Sequence, residues 1–132
     1  MPALDTNVLV RFLVRDDADQ HQAAQQLIAR CVTAEQVLHI PVTVVLELEW
    51  VLRSRYGFAK AAITQAIAGL LASKELSFDT EAAIEWALHD YCQSGADFAD
   101  CLHAALAAHA GQAPLWTFDK AAAKLNGASL LA

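Results

Sequence analysis

The feature that most constrains this chain is a repeated change of hydrophobic period: short apolar runs, each halted by an acid or a proline, give way to stretches with apolar residues every three or four positions. The run Ala3-Leu4 stops at Asp5, and Val8 to Val14 continues with Leu9, Phe12 and Leu13 on one helical face. Gln36 to Ile40 is closed by Pro41, after which Thr43 is the expected N-cap of a helix running to about Arg55 and stopped by Gly57. Glu75 to Phe78 leads through Asp79-Thr80 into a helix past Tyr91 to Gly95, and Pro114 to Phe118 stops at Asp119 before a last short helix and a weak strand at Ser129 to Leu131. Ala18 to Val32, Lys60 to Leu71 and Phe98 to Ala110 complete the helical stretches. Strands separated by one or two helices require right-handed crossovers and a parallel sheet covered on both faces. The expectation is an α/β fold of about five short parallel strands surrounded by about seven helices, as a single domain over residues 1–132.

Composition narrows the function classes. With 132 residues, 56% of them hydrophobic and 18% charged, the chain buries a proper core and is too apolar for intrinsic disorder. So much apolar surface also predicts contact with another protein. The uncharged runs fall short of the roughly 18 apolar residues that a membrane span needs. Asp5 arrives early without a basic leader, which argues against a signal peptide. Cys31, Cys92 and Cys101 have no C-x-x-C spacing and read as buried thiols in a reducing cytoplasm. A net charge of −6 excludes nucleic-acid binding through a broad basic surface. That exclusion weakens if several acids hold divalent ions, which then supply the missing positive charge.

Five acids stand apart from the rest. Asp5 and Asp119 are each the first charge after an apolar strand and each precede a helix, the edge where open parallel sheets bind ligands. Helix capping explains either one taken singly. Glu47 has Thr43, Val44, Trp50 and Val51 as neighbours one turn away, so it is expected to point towards the protein, whereas Glu49, with Arg53 four residues on, is expected at the surface. Asp97 and Asp100 share a face at the start of one helix, with no Lys or Arg between Lys74 and Lys120 to pair with them. Asp97 can be accounted for as a cap; Asp100 lies inside the helix. Oxygen donors without a Cys or His cluster favour Mg²⁺ or Mn²⁺ over zinc, with His103 at most adjacent. Divalent ions in such a cluster suit phosphodiester hydrolysis.

These acids sit in four stretches that carry a family resemblance. Leu4-Asp5-Thr6-Asn7-Val8-Leu9-Val10, then Pro41 to Leu52, then Ala96-Asp97-Phe98-Ala99-Asp100-Cys101-Leu102-His103-Ala104-Ala105, and Trp116-Thr117-Phe118-Asp119 resemble the four acidic motifs of PIN-domain nucleases. More narrowly, they resemble the VapC toxins of prokaryotic toxin–antitoxin systems. The resemblance implies an α/β/α sandwich with Asp5, Glu47, Asp100 and Asp119 as the catalytic metal-binding quartet and Asp97 as an additional acid. It makes Thr6, Asn7 and Thr117 the residues that orient those carboxylates. It further implies an Mg²⁺- or Mn²⁺-dependent endoribonuclease acting on transfer or ribosomal RNA, a homodimer, and inhibition by a VapB-type antitoxin. The chain departs from the pattern after Asp119, where Lys120-Ala121-Ala122-Ala123-Lys124-Leu125 lacks a common aromatic, and this bears on the packing of the last helix. Arg11, Arg15 and Lys120, with Lys124, follow the strands that carry Asp5 and Asp119 and are the candidates for RNA phosphate contacts.

Two other classes compete. A phospho-accepting receiver domain has an acidic pair after its first strand and an Asp at its middle strand, whereas here a single Asp5 follows the first strand and no Asp ends Val37 to Ile40. A catalytically silent PIN-like interaction module would use the apolar helices Val44 to Leu52 and Ile63 to Leu71 as its binding surface.

Overall fold

The structure, a computed structural model, describes residues Met1–Ala132, which pack as two compact units, Met1–Asp79 and Thr80–Ala132. In the first unit α1 (Thr6–Leu13) and α2 (Ala18–Thr33) precede β1 (Leu38–Ile40), and α3 (Val42–Ser54) and α4 (Lys60–Leu71) carry the chain to β2 (Leu76–Phe78). β1 and β2 are parallel, with Leu38 opposite Leu76 and Ile40 opposite Phe78. Their crossover is the helix pair α3 and α4, as the alternating periods predict. Leu38, Ile40, Leu48, Leu52, Ile63 and Ile67 fill the interior beside Leu9. Burial of each such side chain contributes about 1.5–3 kcal/mol.

The expected first strand contracts to a single parallel bridge between Ala3 and His39. The Leu4 amide donates to the His39 carbonyl and the His39 amide to the Pro2 carbonyl, so both ladder bonds are present. Pairing ends there because Asp5 already serves as the N-cap of α1, its carboxylate accepting from the Thr6 amide. α3 starts two residues earlier than expected: Pro41, not Thr43, is its N-cap, and no side chain caps it. Pro41 has no N–H to leave unsatisfied and its fixed φ suits a helix entrance. Gly57, at φ +66, makes the turn beyond α3 that residues with a Cβ resist.

In the second unit α5 (Glu81–Gln93) packs on α6 (Phe98–His109), with the Tyr91 and Phe98 rings edge to face at 5.3 Å. β3 (Leu115–Thr117) and β4 (Ala128–Leu130) form a parallel pair in which Leu115 faces Ala128. Between them the expected last helix is only a 3-10 turn, Ala122–Lys124. This is the segment where the sequence lacks the usual aromatic. Mixed helices and parallel strands agree with the α/β class, although the strands form two separate two-stranded ladders. The cysteines form no disulfide; Cys31 and Cys101 are buried as expected, but Cys92 is exposed, because the buried face of α5 runs through Ile84, Ala87, Leu88 and Tyr91.

Candidate active site

In the first unit the acid-bearing elements are joined by one hydroxyl. Asp5 is exposed at the start of α1, and Thr6, next to it, is 2% exposed. Thr6 Oγ1 donates a short hydrogen bond to Glu47 Oε1 on α3, 41 residues away in sequence. The bond holds the Glu47 carboxylate in place beside the Asp5 end of α1, the orienting role that the resemblance assigns to Thr6. Asn7 is exposed on α1.

The two glutamates of α3 have exchanged the environments that their spacing predicts. Glu47 is exposed, whereas Glu49 is 3% exposed and accepts from Arg53 Nε at 2.8 Å. The buried residues of α3 are Val44, Val45, Leu48, Val51 and Leu52, with Glu49 among them. Trp50, expected inside, stands outside with the Arg55 guanidinium 5.8 Å from its ring centre. Glu49 is therefore an interior carboxylate neutralised by Arg53, and Glu47 presents its carboxylate at the surface with a hydroxyl steadying it.

The second unit carries three acids within electrostatic reach of one another. Asp97 is the N-cap residue of α6, but its side chain makes no cap hydrogen bond, so capping does not explain it. Asp100 lies in the first turn and is half-buried. Asp119, exposed beyond β3, accepts from the Ala122 amide at 3.0 Å while its own amide donates to Thr117 Oγ1 at 3.0 Å. Thr117 thus fixes the backbone that carries Asp119. Burial pushes the Asp100 carboxyl above its ordinary value, and the negative charges of Asp119 and Asp97 push it the same way, opposed by His103. Three carboxylates that repel one another with no Lys or Arg among them are suited to a cation.

The basic candidates differ from one another. Arg11 is engaged within the first unit: its Nη1 donates to Asp16 at 3.0 Å and to the Tyr56 hydroxyl at 3.0 Å, and its Nε donates to Gln20. Tyr56 in turn donates to Asp16, which holds that carboxyl below its ordinary value. Arg11, Asn7, Gln20, Leu27 and Arg30 line a groove of about 340 Å³ between α1 and α2. Arg15, Lys120 and Lys124 are exposed.

The family model of the PIN domain matches residues 3–128, almost the whole chain. The chain belongs to the PIN-domain family. PIN domains are generally nucleases, which makes RNA the expected class of ligand, and they usually employ divalent metal ions. Comparison with curated proteins finds no match. No helix of this PIN domain is long and apolar enough to cross a membrane. Neither unit by itself gathers three His, Cys, Asp or Glu side chains closely enough to hold a metal ion. The donor set nevertheless suits one: oxygen ligands only, and in the second unit a carboxylate whose ionisation is disfavoured by burial and then by its acidic neighbours. Sequence reasoning treated Trp116 and Phe118 as ordinary strand residues, yet both are exposed directly before Asp119. Their signal was two aromatics at strand alternation in a segment that ends on a candidate catalytic acid.

Proposed function

We propose that this PIN domain is an Mg²⁺- or Mn²⁺-dependent endoribonuclease and the toxin of a VapC-type pair. Family membership supports the nuclease class, and the motif resemblance supports the narrower reading. The observation that carries it is the Asp97, Asp100 and Asp119 group, where burial and then the like charges raise the Asp100 carboxyl against the opposing His103. Asp5, Glu47, Asp100 and Asp119, joined by Asp97, would hold the ion, whose charge makes a phosphodiester easier to attack and water easier to deprotonate. Thr6 keeps Glu47 aimed, and Thr117 together with the Ala122 amide keeps Asp119 aimed. Arg15 and Lys120 attract the RNA backbone, which an acidic chain otherwise repels. Arg11 is already held by Asp16, Tyr56 and Gln20 and shapes the groove wall instead.

In this reading the protein works in the cytoplasm as a homodimer that covers part of its apolar surface, and a VapB-type antitoxin silences it. Transfer or ribosomal RNA is the substrate. The test uses purified protein freed of any partner: RNA cleavage with Mg²⁺ or Mn²⁺ that EDTA and Asp5→Asn both abolish. Equal cleavage by wild type and Asp5→Asn would overturn the metal-site assignment. Induced expression should arrest growth and co-expression of a small adjacent antitoxin gene should relieve it; harmless expression of an RNA-cleaving protein would remove the toxin role alone. RNA binding without cleavage would instead support a silent interaction module.

A further inference from the structure

We propose that Trp116 and Phe118 form a stacking platform that holds unpaired bases of single-stranded RNA beside Asp119. The proposal rests on the ribonuclease reading for its substrate class and adds how that substrate is recognised. Trp116 lies in β3 and Phe118 at the bend that follows it, and they are the most exposed large hydrophobic side chains of the second unit, Trp116 at 60% and Phe118 at 71%. Leaving two aromatic rings in water is costly unless something covers them.

Each ring offers a face on which an unpaired base can stack. The order of charge points to a nucleic acid strand. The only Lys or Arg residues of the second unit are Lys120 and Lys124, both exposed and both within five residues after Asp119. Rings, a carboxylate of the proposed reaction centre and cations thus follow one another along the chain, matching the base, scissile phosphate and flanking phosphates of one strand. Thr117, between the rings, is tied to the Asp119 amide, which couples the platform to the acid.

Bases in a duplex present no face for such stacking, so the platform selects unpaired RNA. A partner protein would also find two exposed rings attractive, but apolar contact alone would not call for an acid and two lysines directly after them.

The experiment measures binding of a fluorescent single-stranded RNA, and of the same sequence as a duplex, to the Asp100→Asn variant in EDTA, so that binding is read without cleavage. Adding Trp116→Ala and Phe118→Ala should weaken single-strand binding by about tenfold or more while leaving duplex binding unchanged, in line with the value of base–aromatic stacking. Trp116→Tyr with Phe118→Tyr should restore most of the affinity, which a purely structural role would not explain, and circular dichroism melts should be alike for all variants. In otherwise wild-type protein the alanine pair should raise KM more than it lowers kcat. Unchanged single-strand affinity, or equal loss for duplex and single strand, would overturn the platform. If the alanine pair dissociates a dimer in sedimentation without altering RNA affinity, the surface belongs to a second copy of the chain and the proposal fails. A protein that binds single strands through these rings yet never cleaves would refute the nuclease reading and leave the platform standing.

Discussion

The acids of the two units solve the same problem differently. In the first unit Asp5 is satisfied by the Thr6 amide, Glu47 by the Thr6 hydroxyl, and Glu49 by Arg53. In the second unit Asp97 has no cap bond, Asp100 is raised by burial and then by its acidic neighbours, and Asp119 accepts from the Ala122 amide. The first arrangement positions carboxylates at little energetic cost. The second keeps them in mutual repulsion, which folding tolerates only because the charges lie near solvent. On the proposed reading the contrast divides the duties, precise aim falling to the Thr6–Glu47 pair and cation demand to the Asp97–Asp100–Asp119 group.

The largest effects should follow loss of a carboxylate. Asp100→Asn and Asp119→Asn in the second unit, and Glu47→Gln in the first, should each cut RNA cleavage by more than the roughly 10–100-fold that loss of a residue supporting a metal ligand costs. Retained cleavage in any one would remove that acid from the proposed set. Thr6→Val, which keeps the shape but deletes the hydroxyl, should lower kcat by about 10–100-fold with a near-native melting profile, because it frees Glu47 to wander. If Thr6→Val behaves like wild type, aim is not the duty of the first unit.

Glu49 tests the contrast through stability instead. Glu49→Ala removes the charged hydrogen bond to the half-exposed Arg53 and the packing of a buried side chain, and should cost about 1–3 kcal/mol, seen as a fall of several degrees in Tm, while activity per folded molecule stays intact. The smallest effect concerns Asp100. Its carboxyl is raised, so the folded chain holds that proton more tightly than the unfolded chain, and stability falls as pH rises from the ordinary value of 3.8 through the raised folded value. Asp100→Asn should therefore melt slightly higher than wild type at neutral pH, with the gap closing below the ordinary Asp range.

Much of this was legible in the sequence because element type follows period and punctuation. α4 spans Lys60–Leu71 as its apolar stripe implies, and α6 ends within a residue of its expected limit. Which face of a helix turns inward was harder, as α3 shows. Every residue one turn from Glu47 except Thr43 is apolar, and Val44 and Val51 are buried with Val45, Leu48 and Leu52, yet Glu47 itself is exposed and Trp50 is accommodated outside by Arg55. In so apolar a helix the hydrophobic pattern surrounds the axis and no longer selects a face. The first strand was overestimated for another reason: a run of two apolar residues ending on a capping Asp has room for one bridge. The candidate acids were visible because charge is sparse in an apolar chain, and their contrasting environments were not, since these depend on partners such as Thr6 that are distant in sequence.

The most direct test of the cation demand is the change in Tm on adding Mn²⁺ to wild type and to Asp100→Asn without RNA. The account predicts a rise for wild type that grows with Mn²⁺ concentration, as binding to the folded state requires, and little or none for Asp100→Asn, which starts higher and has less repulsion to relieve. Equal shifts in the two proteins would contradict it.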